Sequence, residues 1–230
     1  MTAESPEREI MARLRGLARE PSLDAARQRL ADLPPAPGVA VPGATSDLVT
    51  TFRERLERNG ASTRLARDRG EVVSAVAEFV AGRQSERRFV AGHDARLAAL
   101  PWRDRGLLPR FGVAEAADRI AVSYARSGIA ESGTLVLWTD RDNPALNNLL
   151  CDAQLVIVDR GDLQAGLDDL WRNARLEDSA TRPRGIMLVS GPSSTADIAM
   201  KLVLGAHGPA ALHVVIVDPE AAATEPRPAA

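Results

Sequence analysis

From residue 45 onward, apolar positions alternate between the spaced pattern of amphipathic helices and the short continuous runs of buried strands. Asp47–Asn59 places Leu48, Phe52 and Leu56 on one helical face, and Asn59-Gly60 closes that helix. A strand near Ser62–Ala66, a helix from Glu71 to about Gly82 and a strand at Arg88–Ala91 follow. Trp102–Gly112 carries little periodicity. Two β-like runs, 120–124 and 134–138, flank a linker of small residues. A short helix over Asp142–Leu150 has Pro144 in its first turn. Leu-Val-Ile-Val within Gln154–Asp159 reads as a strand buried on both faces. Asp162–Asn173 predicts an amphipathic helix carrying Leu163, Leu167, Leu170 and Trp171, with a polar loop at Glu177–Arg184 after it. Ile186–Val189 predicts a strand, Ala196–Leu204 a helix and Leu212–Val217 the last strand. Strands alternating with helices imply an α/β fold on a mostly parallel sheet.

The ends of the chain differ from this middle. Residues 5–32 hold two helical patterns separated by Pro21, and Pro34–Pro42 is an extended linker. The division is therefore a helical arm with its linker (1–44), an α/β domain (45–218) and a Pro-, Ala- and Glu-rich tail (219–230) that reads as disordered.

The stretch from Gly185 to Ile198 holds the first candidate chemistry. An apolar run, a Gly191-Pro192 break and then Ser193, Ser194 and Thr195 predict a strand, a tight turn and a helix start. In an open α/β sheet such a turn lies at a strand's carboxyl end, where ligands bind. Free amides and the helix dipole would face an anion there, which makes Gly191, Ser193, Ser194 and Thr195 candidate ligands. The plainer reading is that Ser194, with Asp197 three residues on, only caps the helix. Neither a P-loop nor a dinucleotide fingerprint is present in the turn.

A second candidate lies in the linker at 128–133. Gly128, Ala130, Ser132 and Gly133 let the backbone approach another group closely. Glu131 stands alone among them as a nucleophile, a general base or an anchor for the turn's own amides. If the strands ending at 124 and 190 are parallel neighbours, Glu131, Ser132, Gly133 and the 191–195 turn line one crevice. His93 reads as a turn or surface group, and His213 as a core histidine. His207, beyond the 196–204 helix, falls on the far side from the Ser-rich turn. No Ser-His-Asp triad or nucleophile elbow can be assembled.

Composition narrows the classes. The 230 residues are 45% hydrophobic, enough for a full core without metal or disulfide. A net charge of −2 and 3% aromatic residues give no basis for nucleic-acid binding. The only cysteine, Cys151, reads as a small core residue and by itself cannot hold an iron–sulfur cluster. Lys201 is the only lysine, so Schiff-base and Lys-assisted phosphoryl chemistry have one poor candidate. No apolar run approaches 18 residues and the N-terminus lacks a signal core, which predicts a cytoplasmic protein without membrane attachment.

Three stretches in order, 128–137 (Gly-Ile-Ala-Glu-Ser-Gly-Thr-Leu-Val-Leu), 190–198 (Ser-Gly-Pro-Ser-Ser-Thr-Ala-Asp-Ile) and 202–215, resemble the LUD-domain family and within it the lactate utilization protein C group. The resemblance covers roughly residues 45–218. It implies a three-layer α/β fold similar to the sugar-isomerase, CoA-transferase and formyltetrahydrofolate cyclo-ligase group. It also implies a non-redox subunit that binds no cofactor itself, working with iron–sulfur partners that oxidise L-lactate to pyruvate. The alternatives are a stand-alone CoA-transferase-like or cyclo-ligase-like enzyme using Glu131 and the 191–195 turn, or a protein that binds a small anionic ligand. Two positions depart from the group's pattern: Ala199 follows Thr-Ala-Asp-Ile where the group has Glu, and Gln154 stands where it has His.

Overall fold

A computed structural model describes residues 47–84, 86–174, 182–198 and 201–221, with isolated positions between 11 and 32. The expected helical arm, linker and tail lie almost wholly outside the described residues. By internal contacts the chain divides into Met1–Ala40 and Val41–Ala230, and the second unit contains every regular element described below.

Helix α1 (Leu48–Arg58) begins at Asp47, whose side chain accepts from the Val49 amide at 3.3 Å. It leads into strand β1 (Ser62–Ala66). Helix α2 (Arg69–Ala81) is capped by Asp68, which accepts from the Glu71 amide at 2.9 Å. The chain then runs through β2 (Arg88–Ala91), the single turn α3 (Ala95–Ala98) and β3 (Leu108–Phe111). Next come β4 (Ile120–Tyr124), β5 (Ser127–Ile129), β6 (Thr134–Thr139) and β7 (Ala153–Asp159). After β8 (Leu163–Gln164) and helix α4 (Leu167–Asn173), strands β9 (Gly185–Val189), β10 (Ser194–Ile198), β11 (Lys201–Leu204) and β12 (Ala211–Val217) complete the unit.

Six strands form one sheet in the order β1-β12-β7-β4-β2-β3, every pair parallel. A second sheet has the order β8-β5-β6-β9, with β6 antiparallel to both β5 and β9. The side-chain alternation of β7 and β12 explains how the layers assemble. Leu155, Ile157 and Val215 point to one face and pack against Val72, Val76, Phe79 and Val80 of α2. Val156, Val158, Val214 and Ile216 point to the other, against Phe52 and Leu56 of α1 and Leu135 and Leu137 of β6. The unbroken Leu-Val-Ile-Val run is apolar because both faces are covered. Val136 and Ile129 leave the far face of the small sheet for Leu170 of α4. The result is the mostly parallel α/β architecture that the alternating pattern implied, in the three layers that the family resemblance implied. Phe52, with no exposed surface, contributes about 2–3 kcal/mol by burial alone.

Three expected elements changed, and a stretch without an expected element holds two. Ala196–Leu204 is not a helix but a two-stranded antiparallel hairpin, pairing Thr195 with Val203 and Ile198 with Lys201. A helix of nine residues is marginal without a docking face, and β-branched Thr195, Ile198 and Val203 favour extended backbone. The weakly periodic Trp102–Gly112 holds a 3₁₀ turn (Trp102–Arg105) and the edge strand β3, where Pro109 needs no ladder donor on its open side. Asp142–Leu150 shortens to a 3₁₀ turn over Ala145–Asn148. The helix from Asp162 starts only at Leu167, because Leu163 and Gln164 pair with β5 and Gly166 takes the N-cap.

The sheet order also fixes where a crevice opens. From β2 the chain passes outward to β3, whereas β4 lies on the opposite side of β2. That reversal is a topological switch point, the usual ligand position at the carboxyl ends of an open sheet.

Candidate functional site

Strand β9 belongs to the small sheet and runs antiparallel to β6, so the strands ending at 124 and 190 are not parallel neighbours. The 190–193 turn consequently lies at the amino ends of the large parallel sheet. There the Ser193 amide donates to the Pro209 carbonyl at 2.8 Å, and the Ala210 amide to the Asp152 carbonyl at 2.8 Å, just ahead of β12 and β7.

The two small-residue bends nevertheless come together. Register places Leu135 opposite Val189, which brings the 131–133 bend beside Ser190. Three hydroxyls form a chain: Ser132 Oγ lies 2.7 Å from Thr134 Oγ1, and that atom lies 2.8 Å from Ser190 Oγ. What the glycines approach is the protein itself. A Cβ on Gly133, whose φ is +66°, would sit 2.6 Å from the Leu56 amide nitrogen, and one on Gly191 would sit 2.5 Å from the Asn59 carbonyl oxygen. A Cβ on Gly128 would meet the Phe52 ring at 2.8 Å. Asn59 Nδ2 then donates to the Ser132 carbonyl at 3.1 Å. The carboxyl end of α1 is thus wedged between the bends.

Glu131 is directed elsewhere. Its Oε1 accepts from the Leu167 amide at 2.9 Å, at the start of α4, and Gly166 packs against the carboxylate. Among the 191–195 residues, Ser193 enters a cavity wall, whereas Ser194 and Thr195 enter β10. No helix begins at Ser194, so no helix dipole points at the turn.

The cavity beside Ser193 measures about 180 Å³ and separates the two sheets. His207, expected on the far side, lines the same cavity, because the turn and the β11–β12 connection share the amino-end rim. Met187, Val189, Pro192 and Leu212 make its walls apolar. A buried amide network that the sequence pattern did not announce forms its floor. Gln154 Nε2 donates to Asn148 Oδ1 at 2.6 Å, and Ser123 Oγ donates to the same atom at 2.9 Å. Asn148 Nδ2 lies 3.8 Å from Met187 Sδ. Gln154 stands where the family resemblance expects His; its uncharged donor suits a floor only 1% exposed. A run of Asn, Leu and Cys ahead of a buried strand was the available signal.

Other titratable groups have ordinary structural surroundings. Cys151 packs with Val90, Ala114 and Ala121, and burial pushes its thiol up to about 11. His213 stacks on Phe79 at 5.3 Å, its Nδ1 lies 2.7 Å from Ser62 Oγ, and burial followed by Arg83 and Arg64 lowers it to about 4. His93 is exposed beside Phe111. No group of three His, Cys, Asp or Glu positioned to hold a metal occurs among the described residues, and none of the described helices is long and apolar enough to cross a membrane.

A parallel sheet roofed by a small mixed sheet, with glycine bends locked on the first helix, defines a three-layer α/β protein. The chain belongs to the LUD-domain family, whose model matches residues 49–217. It is 29% identical over 181 residues to lactate utilization protein C of Macrococcus caseolyticus, an alignment covering 75% of this chain and 72% of that one. It is 32% identical to the Shouchella clausii protein of the same name over 118 residues, 51% of each chain. With lactate utilization protein C 1 of Bacillus mycoides it shares 35% over 107 residues, 46% of this chain and 45% of that one. The last two alignments therefore span about half of those relatives' lengths. A crystal structure of a DUF162 family protein from Deinococcus radiodurans shares the fold, with a TM-score of 0.54 and 18% identity over 74% of this chain and 96% of that one.

Proposed function

We propose that this protein acts in lactate utilization, as the non-redox component of an iron–sulfur system that oxidises L-lactate to pyruvate. The observation that carries the reading is the LUD-domain match at 49–217 together with relatives named lactate utilization protein C. Chemistry accounts for the division of labour. Converting the alcohol to the ketone removes two electrons and two protons, and the electrons need an acceptor. This chain offers one buried cysteine and no dinucleotide fingerprint, so the acceptor belongs to a partner. Engagement of Glu131 with the Leu167 amide weighs against the CoA-transferase-like or cyclo-ligase-like alternative, which needs that carboxylate free.

The test is genetic and biochemical. Deleting the gene should abolish growth on L-lactate as sole carbon source, and anaerobic affinity capture of the tagged chain should recover iron–sulfur proteins. Undiminished growth of the deletion strain on lactate overturns the reading.

A further inference from the structure

At the opposite rim from the motifs, the switch point between β2 and β4 opens into a crevice of about 270 Å³. Pockets for drug-sized molecules usually start near 300 Å³, so this one suits a small metabolite. Its charges are unequally committed. Arg96 lies over the Tyr124 ring at 3.9 Å and makes two hydrogen bonds to Asp94, at 2.8 and 3.1 Å. The Arg126 guanidinium lies over the Trp138 ring at 5.0 Å and makes no side-chain hydrogen bond or ion pair among the described residues, with Asp162 within its electrostatic reach. The Trp138 indole N–H, in the same wall, is buried with no hydrogen-bond partner among them. On the other side, Asp140 Oδ1 accepts the Asp142 and Asn143 amides, both at 2.8 Å. The Asp142 carboxylate accepts no hydrogen bond among the described residues.

We propose that this crevice binds a small 2-hydroxycarboxylate, its carboxylate on Arg126 and its hydroxyl donated to the acidic wall at Asp140 and Asp142. The choice of ligand follows from the donors and acceptors on offer. One guanidinium without a hydrogen-bonded or ion-paired carboxylate calls for one anion, because Asp94 already neutralises Arg96. An ionised aspartate accepts only, so the neighbouring ligand group must be a donor. A hydroxyl meets that requirement. A ketone does not, since its oxygen would face a carboxylate with no proton between them. The crevice therefore separates the reduced acid from the oxidised one. This proposal rests on the lactate reading for its choice of probes, but not for its geometry.

Isothermal titration of the full chain at low ionic strength, with L-lactate, pyruvate and acetate as probes, tests it. L-lactate should bind at least about tenfold more tightly than pyruvate or acetate, the difference one charge-assisted hydrogen bond supplies. Arg126→Gln should weaken L-lactate at least about tenfold, and Asp142→Asn should narrow the ratio of L-lactate to pyruvate, with circular dichroism unchanged in both. Equal binding of the two acids, or full L-lactate affinity in a folded Arg126→Gln variant, overturns the assignment. Growth separates the two claims. If Arg126→Gln restores growth on lactate to a deletion strain as well as wild type does, the crevice proposal fails and the pathway reading stands. If the deletion strain grows normally, the pathway reading falls and the titration alone judges the crevice.

Discussion

At the amino ends of the parallel strands, backbone meets backbone: Gly133 and Gly191 lie on the last turn of α1, and hydroxyls and amides satisfy one another. At the carboxyl ends, charged side chains face a cavity, and one guanidinium makes no side-chain hydrogen bond or ion pair among the described residues. The first rim holds the recognisable sequence motifs, yet what the glycines there accommodate is the chain itself. The second rim is poor in motifs and has the position and unpaired groups of a binding site. A glycine-rich motif thus records close approach, and only coordinates say whether the neighbour is a ligand or another segment.

Glycine substitution gives the largest contrast. Gly133→Ala should destabilise the fold by about 3 kcal/mol or more, since a positive φ and contacts under 3 Å with main chain act together. Gly161→Ala, at the other rim with nothing within 4 Å, should change stability by less than about 0.5 kcal/mol. Urea unfolding of the two variants measures the difference, and equal losses would erase the contrast between the rims.

His213 sharpens it through pH. The folded protein holds this ring neutral down to about 4, whereas the unfolded chain protonates it near 6.5. Between these values the unfolded state binds more protons, so stability falls as pH drops and is fully present above 6.5. The loss approaches about 2 kcal/mol, allowing for solvent at the ring's exposed edge. His213→Gln should flatten the unfolding midpoint between pH 6.5 and 5.

Glu131 produces a smaller effect. Glu131→Ala should cost about 1 kcal/mol by freeing the Leu167 amide, while Glu131→Gln keeps an acceptor oxygen and should leave both stability and lactate-dependent growth close to wild type. Loss of growth with Glu131→Gln, in a chain that still folds, would restore the carboxylate to a chemical role. Smallest of all, Cys151 should resist alkylation at pH 8 until the protein unfolds, because burial keeps its thiol protonated.

The strands of the central layer were legible because both faces are covered: Leu155 to Val158 and Val214 to Ile216 had to be apolar without interruption. The helices at Leu48–Arg58 and Arg69–Ala81 were legible from their spacing and from the turn signals at Asn59-Gly60 and Gly82. Ser194–Leu204 misled because a short segment rich in Ala and Leu suits helix or hairpin equally, and the register with its own second half decides between them. That β9 joins the small sheet is a long-range fact carried by its pairing with β6, to which no local pattern points. The misplacement of the Ser-rich turn, and with it the expected separation from His207 at the amino-end rim, followed from that single step. The carboxyl-end crevice left no trace because Asp94, Arg126, Trp138 and Asp142 come from separate strand ends and loops that only the sheet order assembles.

Pairing of β1 with β12 has a consequence for biosynthesis. Ser62 and His213, neighbours across that ladder, are 151 residues apart in the chain. Emerging from the ribosome, the first of the described strands must wait for the last before its main-chain groups find ladder hydrogen bonds. Closing so long a loop makes maturation slow, and a nascent chain stopped before Ala211 would present unpaired, apolar edges to chaperones and proteases.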